Sequence, residues 1–372
     1  MKKINSVLLA AFLVVSCDGG KTGTDNDDFL DDGDNSMIES DAVMLTDADG
    51  PSSDKKFEIP DDPGEQQYAA ALADTGREND FAVSDPAGNG EKIVTDGATG
   101  LVWQQVVPTI YPGCVKVDMT GLSCTWPEAI EYCDTLVYGG SDDWHLPTPH
   151  ELLTIVDYGK IVDIGQDDAA TYSNAFPGMK GGSFWTSLYE TGVDWLAGYP
   201  AWTVNFSYGR VSTHGSYGSS DDDPKSFGDK VICVRRDGVV SFSGTRYAET
   251  TGNDGKIIVT DNLTKLEWTK EYVENKTQEE ATVYCADLVY EDKEDWRLPG
   301  LNELRSLIDY TKENPASNFP GITAFATDDR FWTARSHAGD DIYSWFLGFD
   351  APYLDFIVFS EPPYYFNVRC VR

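Results

Sequence analysis

Two clusters of acidic side chains contain carboxyl groups at spacings that could serve acid–base catalysis. Glycoside cleavage requires a pair of carboxyl groups, one an acid and the other a base or nucleophile. The acids are Asp143, Glu151 and Asp157, which recur as Asp295, Glu303 and Asp309. Because they stand near predicted helix starts and ends, we expect them to form ion pairs and helix caps, with catalysis as the alternative. Arg235 and Arg372 are the expected cationic partners.

A histidine near the first cluster is the natural candidate for a hydrolase triad, which needs a serine, a histidine and an acid. His145 stands in the motif WHLP. The second copy of this motif reads WRLP and has Arg297 instead. We therefore expect His145 to be a capping or packing residue.

These clusters lie within a long sequence that occurs twice. IVTDGATGLVW, EYCDTLVY, FWTS and CVR in the first copy correspond to IVTDNLTKLEW, VYCADLVY, FWTA and CVR in the second. A repeat of this length indicates tandem globular domains, each large enough to close its own core. The predicted domains span residues 65–237 and 238–372, after a signal peptide and lipobox at 1–17 and a disordered acidic linker at 18–64.

Each copy predicts an α+β unit with a hairpin, two helices and a terminal group of antiparallel strands. IVTDGATGLVW has the alternation and the turn residues of a hairpin. Thr125 and Glu128 form a capping box at the start of the first helix, and Cys133 falls on the buried face of that helix. Thr148 and Glu151 begin the second helix. Its apolar stripe is Leu152, Ile155 and Val156.

Six of the seven cysteines fall into pairs when the copies are aligned. Cys133 and Cys285 occupy one repeat position, and Cys233 and Cys370 occupy another, so we predict the disulfides Cys133–Cys233 and Cys285–Cys370. Cys114 and Cys124 both lie in an insertion of the first copy, and we predict a local disulfide between them. An even set of cysteines behind an export signal indicates an oxidising compartment.

The seventh cysteine follows an export signal. Two lysines precede a short apolar run, and Val14-Val15-Ser16-Cys17 resembles the lipobox at which bacterial lipoproteins are acylated on cysteine. The run is too short to span a bilayer. We expect Cys17 to carry a lipid that anchors the chain in the cell envelope, with the outer membrane or cell surface favoured over the inner membrane.

The charge of the chain excludes one class of partner. The formal net charge is −35. Such a chain repels polyanions and has no basic stripe to neutralise phosphates, so we expect no nucleic-acid binding.

Positions where the copies differ are the candidates for ligand binding, because divergent loops are free to specialise. Two tryptophans lack a counterpart in the second copy, and one loop of the first copy is rich in Gly, Ser, Tyr and Asp. The candidate contacts are Trp126, Trp195, Tyr208 and Tyr217. The counterpart of that loop, near residues 350–365, is aromatic and contains prolines.

An acidic triplet in the same loop carries the hard oxygen ligands that calcium prefers. It consists of Asp221, Asp222 and Asp223. We expect a solvated acidic loop, and a calcium site is the alternative. We expect no other cofactor.

The motifs D-x-x-T-x-L-x-W, A-x-x-Y-C-x-x-L, D-W-[RH]-L-P, F-W-T and C-V-R occur in both copies. Together they resemble the Lcl C-terminal domain family of bacterial secreted and surface proteins, which includes a collagen-like adhesin, over most of residues 80 to 372. The RLP element and the closing RCVR are more distantly similar to the formylglycine-generating sulfatase-modifying family, whose domain is similar to the C-type lectin fold. The resemblance implies two tandem C-type-lectin-like modules.

These observations predict a non-catalytic envelope protein that binds a carbohydrate or a protein. The adhesin domain that the chain resembles engages sulfated glycans, but an acidic protein would repel them, so that ligand is not expected here. The alternatives are an enzyme related to the sulfatase-modifying factors, which would need reactive cysteines, and a purely structural envelope component.

Overall fold

The computed structural model describes residues 76–114, 123–161, 169–189, 200–214, 229–236, 242, 244–312, 316–323, 330–336, 343–349, 354–358 and 364–372. Residues 51–372, which contain both repeats, form one compact unit, and the other unit, residues 1–50, lies outside the described residues. Of the helices in the described ranges, none combines the length and the apolar character that a membrane-spanning segment requires.

The first repeat contains seven strands and two α-helices among the described residues. The strands are β1 (Phe81–Ser84), β2 (Ile93–Asp96), β3 (Leu101–Gln104), β4 (Ser183–Tyr189), β5 (Ala201–Asn205), β6 (Arg210–His214) and β7 (Val234–Arg236). The helices are α1 (Trp126–Asp134) and α2 (Pro149–Leu153). They lie beside two sheets with the strand orders β1-β2-β3-β7 and β4-β5-β6.

The second repeat follows the same order of elements, with one additional strand, β11 (Val273–Lys276), before its first helix. Its strands are β8 (Tyr247–Thr251), β9 (Ile257–Asp261), β10 (Glu267–Thr269), β11 (Val273–Lys276), β12 (Arg330–Ser336), β13 (Tyr343–Gly348), β14 (Leu354–Val358) and β15 (Phe366–Val368). Its helices are α3 (Gln278–Ala286) and α4 (Leu301–Arg305). The sheets have the orders β10-β9-β8 and β11-β15-β12-β13-β14.

The α+β class and the predicted hairpins are confirmed, and one strand direction differs from the prediction. β2 and β3 pair antiparallel, as do β9 and β10. The terminal strand β15 pairs antiparallel with β11 but parallel with β12, through Phe331 and Asn367. The terminal strands are therefore not all antiparallel, because β15 enters the sheet between two strands of opposite direction.

The predicted capping boxes begin the helices. Backbone N–H groups of Thr125 and Thr277 donate to the carboxylates of Glu128 and Glu280, over 2.8 and 3.0 Å. The second helix is shorter than predicted. It ends at Leu153 because the next residues turn with i to i−3 hydrogen bonds, although Ile155 and Val156 are still buried.

The three disulfides are the pairs that the repeat positions predict. Cys133–Cys233 and Cys285–Cys370 join the first helix of each repeat to its terminal segment, across 100 and 85 residues. Cys114–Cys124 closes the insertion of the first repeat. Two apolar clusters surround the long-range disulfides, one in each repeat.

A third apolar cluster is shared by the two repeats. It joins Trp103 and Trp202 of the first repeat to Trp268 and Trp345 of the second, all with 0% exposure. The sequence predicts that each repeat closes its own core. The structure adds a common core, in which aromatic side chains of each repeat pack against the other repeat.

The aromatic contacts across this shared core are reciprocal. Tyr158 of the first repeat packs edge-on against Trp345 of the second, with ring centres 5.4 Å apart. Tyr310, at the position equivalent to Tyr158, packs edge-on against Trp202, at the position equivalent to Trp345, at 5.7 Å. Strands β6 and β14, which are also equivalent, lie near each other. The two repeats therefore meet through equivalent surfaces.

Candidate functional site

Glu151 is the most deeply buried of the candidate acids. It stands at the third position of α2, where its side chain is 0% exposed. Its carboxylate accepts hydrogen bonds from the backbone N–H and the hydroxyl of Thr148, over 2.9 and 3.2 Å. Glu151 thus closes the capping box of the helix, as the sequence predicts.

Two cationic residues also converge on this carboxylate. Arg236 Nε donates to it over 2.7 Å, and His145 Nε2 lies 3.3 Å from both oxygens. Burial by itself would raise the pKa of Glu151, but the charges and hydrogen bonds of His145 and Arg236 outweigh burial and lower the pKa to about 2. A general acid in glycoside cleavage needs a raised pKa. The environment of Glu151 therefore fits a structural ion pair.

The second repeat forms an equivalent ion pair at its helix-capping glutamate, with a different cationic residue. Arg297, at the position of His145, donates from both of its terminal nitrogens to Glu303 over 2.6 Å. Glu303 also accepts from the backbone N–H of Gly300 over 2.8 Å. His145 and Arg297 thus pair with the same capping carboxylate, which is the structural role that we expect for His145.

The acids before the WHLP and WRLP motifs pair with the predicted arginines. Arg235 Nη1 lies 3.8 Å from Asp143, and Arg372 Nε lies 2.9 Å from Asp295. These pairs tie the segment before the second helix to the terminal segment of each repeat. The partner of Glu151, however, is the neighbouring Arg236.

The last two acids stabilise turns. The carboxylate of Asp157 accepts from the N–H of Gly159 over 3.0 Å, and that of Asp309 accepts from the N–H of Thr311 over 3.1 Å. All six candidate acids are therefore engaged in caps, turns or ion pairs.

The indole N–H of Trp126 makes a hydrogen bond within the first repeat. Its side chain is 7% exposed, and its indole N–H donates to the carbonyl oxygen of Thr186 over 2.8 Å. In the second repeat Gln278 stands at this position and donates to Thr333, the equivalent of Thr186, over 2.9 Å. The indole therefore joins the start of α1 to β4, and a contact of Trp126 with ligand stays a prediction.

Tyr208 lies on the turn between β5 and β6, where it is half-buried. The guanidinium of Arg210 lies 5.9 Å from the centre of its ring. Its contact with ligand also stays a prediction.

The remaining candidates lie outside the described residues. They are Cys17, Trp195, Tyr217, Asp221, Asp222 and Asp223. Within the described ranges, no group of three or more His, Cys, Asp or Glu side chains is arranged to hold a metal ion.

An arginine–aspartate pair in each repeat is absent from the sequence-based predictions. Arg77 donates to the buried Asp96 over 2.6 Å and to the carbonyl oxygen of Thr154 over 2.8 Å. Arg246 makes the equivalent bonds to Asp261, over 2.8 Å, and to a carbonyl oxygen at the end of α4. The shared Asp in the two IVTD motifs is the signal that could have found this pair, because a buried carboxylate requires a donor.

Exposed apolar side chains mark two surfaces on which the repeats differ. We call the first the stapled loop. It consists of Val106 and Ile110, which are 52% and 71% exposed, next to the Cys114–Cys124 disulfide. Tyr111 anchors the loop, because its hydroxyl donates to the carbonyl oxygen of Val231 over 3.1 Å.

The second surface, which we call the tyrosine surface, belongs to the second repeat. It consists of Tyr364 and Tyr365, which are 36% and 49% exposed. The next residue, Phe366, is buried, and the guanidinium of Arg330 lies 4.9 Å from the centre of its ring. The first repeat has Asp229 at the position of Phe366, so the aromatic run is specific to the second repeat.

Comparison with known proteins identifies one family. The profile of the Lcl C-terminal domain matches residues 92–235 and again residues 257–372, which together make up more than half of the chain. No curated protein sequence matches the chain.

Proposed function

The chain belongs to the Lcl C-terminal domain family, and from this premise we propose that it is a non-catalytic binding protein of the bacterial cell envelope. The proposal rests on a difference between the positions that the two repeats share and the positions at which they diverge. Shared tryptophans, acids and cysteines are engaged in the core, in ion pairs and in disulfides. The stapled loop and the tyrosine surface, in contrast, are exposed and specific to one repeat.

The ligand that these surfaces suit is a carbohydrate or a protein. Exposed tyrosine rings can stack on the apolar face of a sugar or fill a pocket of a protein partner, while the hydroxyl stays in water. The net charge of −35 repels polyanions, so the ligand is neutral or basic.

The state of the cysteines supports a non-catalytic role. An enzyme related to the sulfatase-modifying factors would need reactive thiols, and only a thiolate is reactive. Each of the six cysteines in the described ranges is in a disulfide. The distant similarity to the C-type lectin fold belongs to the same proposal. A loop-rich fold of that kind can bind a ligand through loops that a disulfide-bonded body holds in place.

The proposal includes export of the protein and attachment of a lipid at its N-terminal part. The lipobox at Cys17 anchors the protein, and the acidic segment 18–64 separates the binding body from the membrane. Digestion of intact cells with an added protease tests this location. Cleavage without lysis supports exposure at the cell surface, and protection until the outer membrane is opened places the protein on the periplasmic side.

Binding is tested by screening the soluble chain from residue 18 onward against a glycan array and, separately, against envelope proteins. The double change Tyr364→Ser and Tyr365→Ser should weaken binding at least tenfold. Val283→Ser is the matched control, because Val283 is 55% exposed on α3, outside both surfaces. Unchanged binding by the tyrosine variant would reject the tyrosine surface, and the absence of any ligand would favour a structural component.

A further inference from the structure

Arg305 is a cationic side chain enclosed between the two repeats. It lies at the end of α4 with 0% exposure, at the position that Leu153 occupies in the first repeat. Among the described residues, its one hydrogen bond runs from Nη1 to the hydroxyl of Tyr158, over 2.9 Å. No carboxylate among the described residues pairs with it. A buried charge without a counter-charge is strongly destabilising.

The unused donors of Arg305 share one edge of the guanidinium. Its Nε and Nη2 atoms are buried and have no hydrogen-bond partner within the described part of the chain. These two N–H groups point in parallel, and this is the edge with which arginine binds a carboxylate or another anion in bidentate fashion. The side chain thus offers a complete anion-binding edge in a place without solvent.

Two further polar atoms without partners lie in the same interface. They are the hydroxyl of Tyr310 and Nδ1 of His150, whose rings have centres 4.9 Å apart. Burial and, after it, the charge of Arg305 lower the pKa of His150 to about 3. Burial raises the pKa of Tyr310, and the charge of Arg305 opposes this effect. The guanidinium therefore lies close enough to act on both side chains.

We propose that the interface between the repeats binds a small monovalent anion, of the size of chloride or formate, on the Nε–Nη2 edge of Arg305. Two N–H donors and one full positive charge define the chemistry of this site. Because Arg305 belongs to the second repeat and its partner Tyr158 to the first, the bound anion stabilises the contact between the repeats.

Thermal unfolding of the full chain at fixed ionic strength tests the proposal. Sodium gluconate, whose anion is too large for the site, is replaced stepwise by chloride or formate. A ligand that binds only the folded state raises the melting temperature, so we expect a saturable rise of about 2–4 °C. Equal melting temperatures in all three salts would reject the site.

Two variants assign the effect to the site. Arg305→Leu installs the residue found at this position in the first repeat and should abolish the response to chloride. Arg330→Leu makes the same change on the surface and should keep the response. A full response in Arg305→Leu would contradict the proposal.

A crystallographic measurement covers the case in which Arg305→Leu does not fold. Crystals of the unmodified chain soaked in bromide, the heavier analogue of chloride, should show an anomalous peak beside Nε and Nη2 of Arg305. A bromide-soaked crystal without a peak there would overturn the proposal.

Discussion

The indole N–H of Trp202 donates to the backbone carbonyl oxygen of Tyr310 over 3.2 Å, from the first repeat to the second. The rings of the same two residues are in contact, and Tyr158 and Trp345 repeat the ring contact with the roles of the repeats exchanged. Equivalent surfaces that cover each other are typical of two-fold symmetric dimers. The two repeats are thus joined within one chain in the way that the subunits of such a dimer are joined.

His150 predicts how stability depends on pH. Its pKa of about 3 in the folded state is below the ordinary value of 6.5. Between these values the unfolded chain binds a proton that the folded chain does not, so the contribution is complete above pH 6.5 and is lost progressively below it. One proton corresponds to about 1.4 kcal/mol per pH unit, so the free energy of unfolding should fall by about 2 kcal/mol between pH 6.5 and 5.0 from this residue alone.

Urea unfolding of two variants at pH 7.5 and 5.0 checks this prediction. His150→Asn, which installs the residue found at Asn302 in the second repeat, should reduce the pH dependence. Val283→Ser, a change at an exposed residue of α3 that does not titrate, should retain it. The same pH dependence in His150→Asn and the unmodified chain would show that His150 is not the responsible group.

Glu151 and Glu303 occupy equivalent positions with different burial, which gives a matched pair of substitutions. Glu151 is 0% exposed and its partner Arg236 25% exposed, whereas Glu303 is 16% exposed and its partner Arg297 50% exposed. Glu151→Gln removes the buried carboxylate that Arg236 and His145 contact and should cost about 3 kcal/mol of unfolding free energy, the lower end of the range for a broken buried pair. Glu303→Gln should cost about 1 kcal/mol, because solvent screens its ion pair.

Denaturant unfolding of the two variants at pH 7 measures the difference. The pKa of Glu151 is lowered to about 2, so its contribution is present above the ordinary value of 4.5 and is lost as the pH falls toward 2. Equal losses for the two substitutions at pH 7 would mean that the burial of Glu151 has no energetic effect.

The hairpin turns of the two repeats provide a test of backbone strain. Gly100 has φ of +75° and its equivalent Lys265 has φ of +67°. A side chain in this left-handed region is strained, and glycine is not. Lys265→Gly should therefore stabilise the protein by up to about 1 kcal/mol, and Gly100→Ala should destabilise it by a similar amount. Melting temperatures that move together in the two variants would contradict this explanation.

The sequence predicts the parts of the fold that the repeats have in common. Only one pairing gives each repeat its own copy of the same disulfide, and the capping glutamates follow from their spacing to Thr148 and its counterparts. The long-range disulfides and the helix starts were predictable for these reasons. Asp143 and Asp295 also pair with the predicted arginines.

The contact between the repeats could not be predicted in the same way. Duplication identifies Trp202 and Trp345 as core residues, but periodicity within a repeat does not show which buried face meets another repeat. The pairs formed by Arg77 and Arg246 were missed because the two arginines stand at different distances before the IVTD motif. Both features depend on residues far apart in the chain.

Differential scanning calorimetry of the soluble chain from residue 18 onward tests most directly whether the two repeats form one body. A shared core predicts a single transition in which the calorimetric and van't Hoff enthalpies agree. Trp345→Ala, a change in the second repeat at the contact with Tyr158, should shift that whole transition to lower temperature. Two separate transitions, of which the substitution moves only one, would contradict the account.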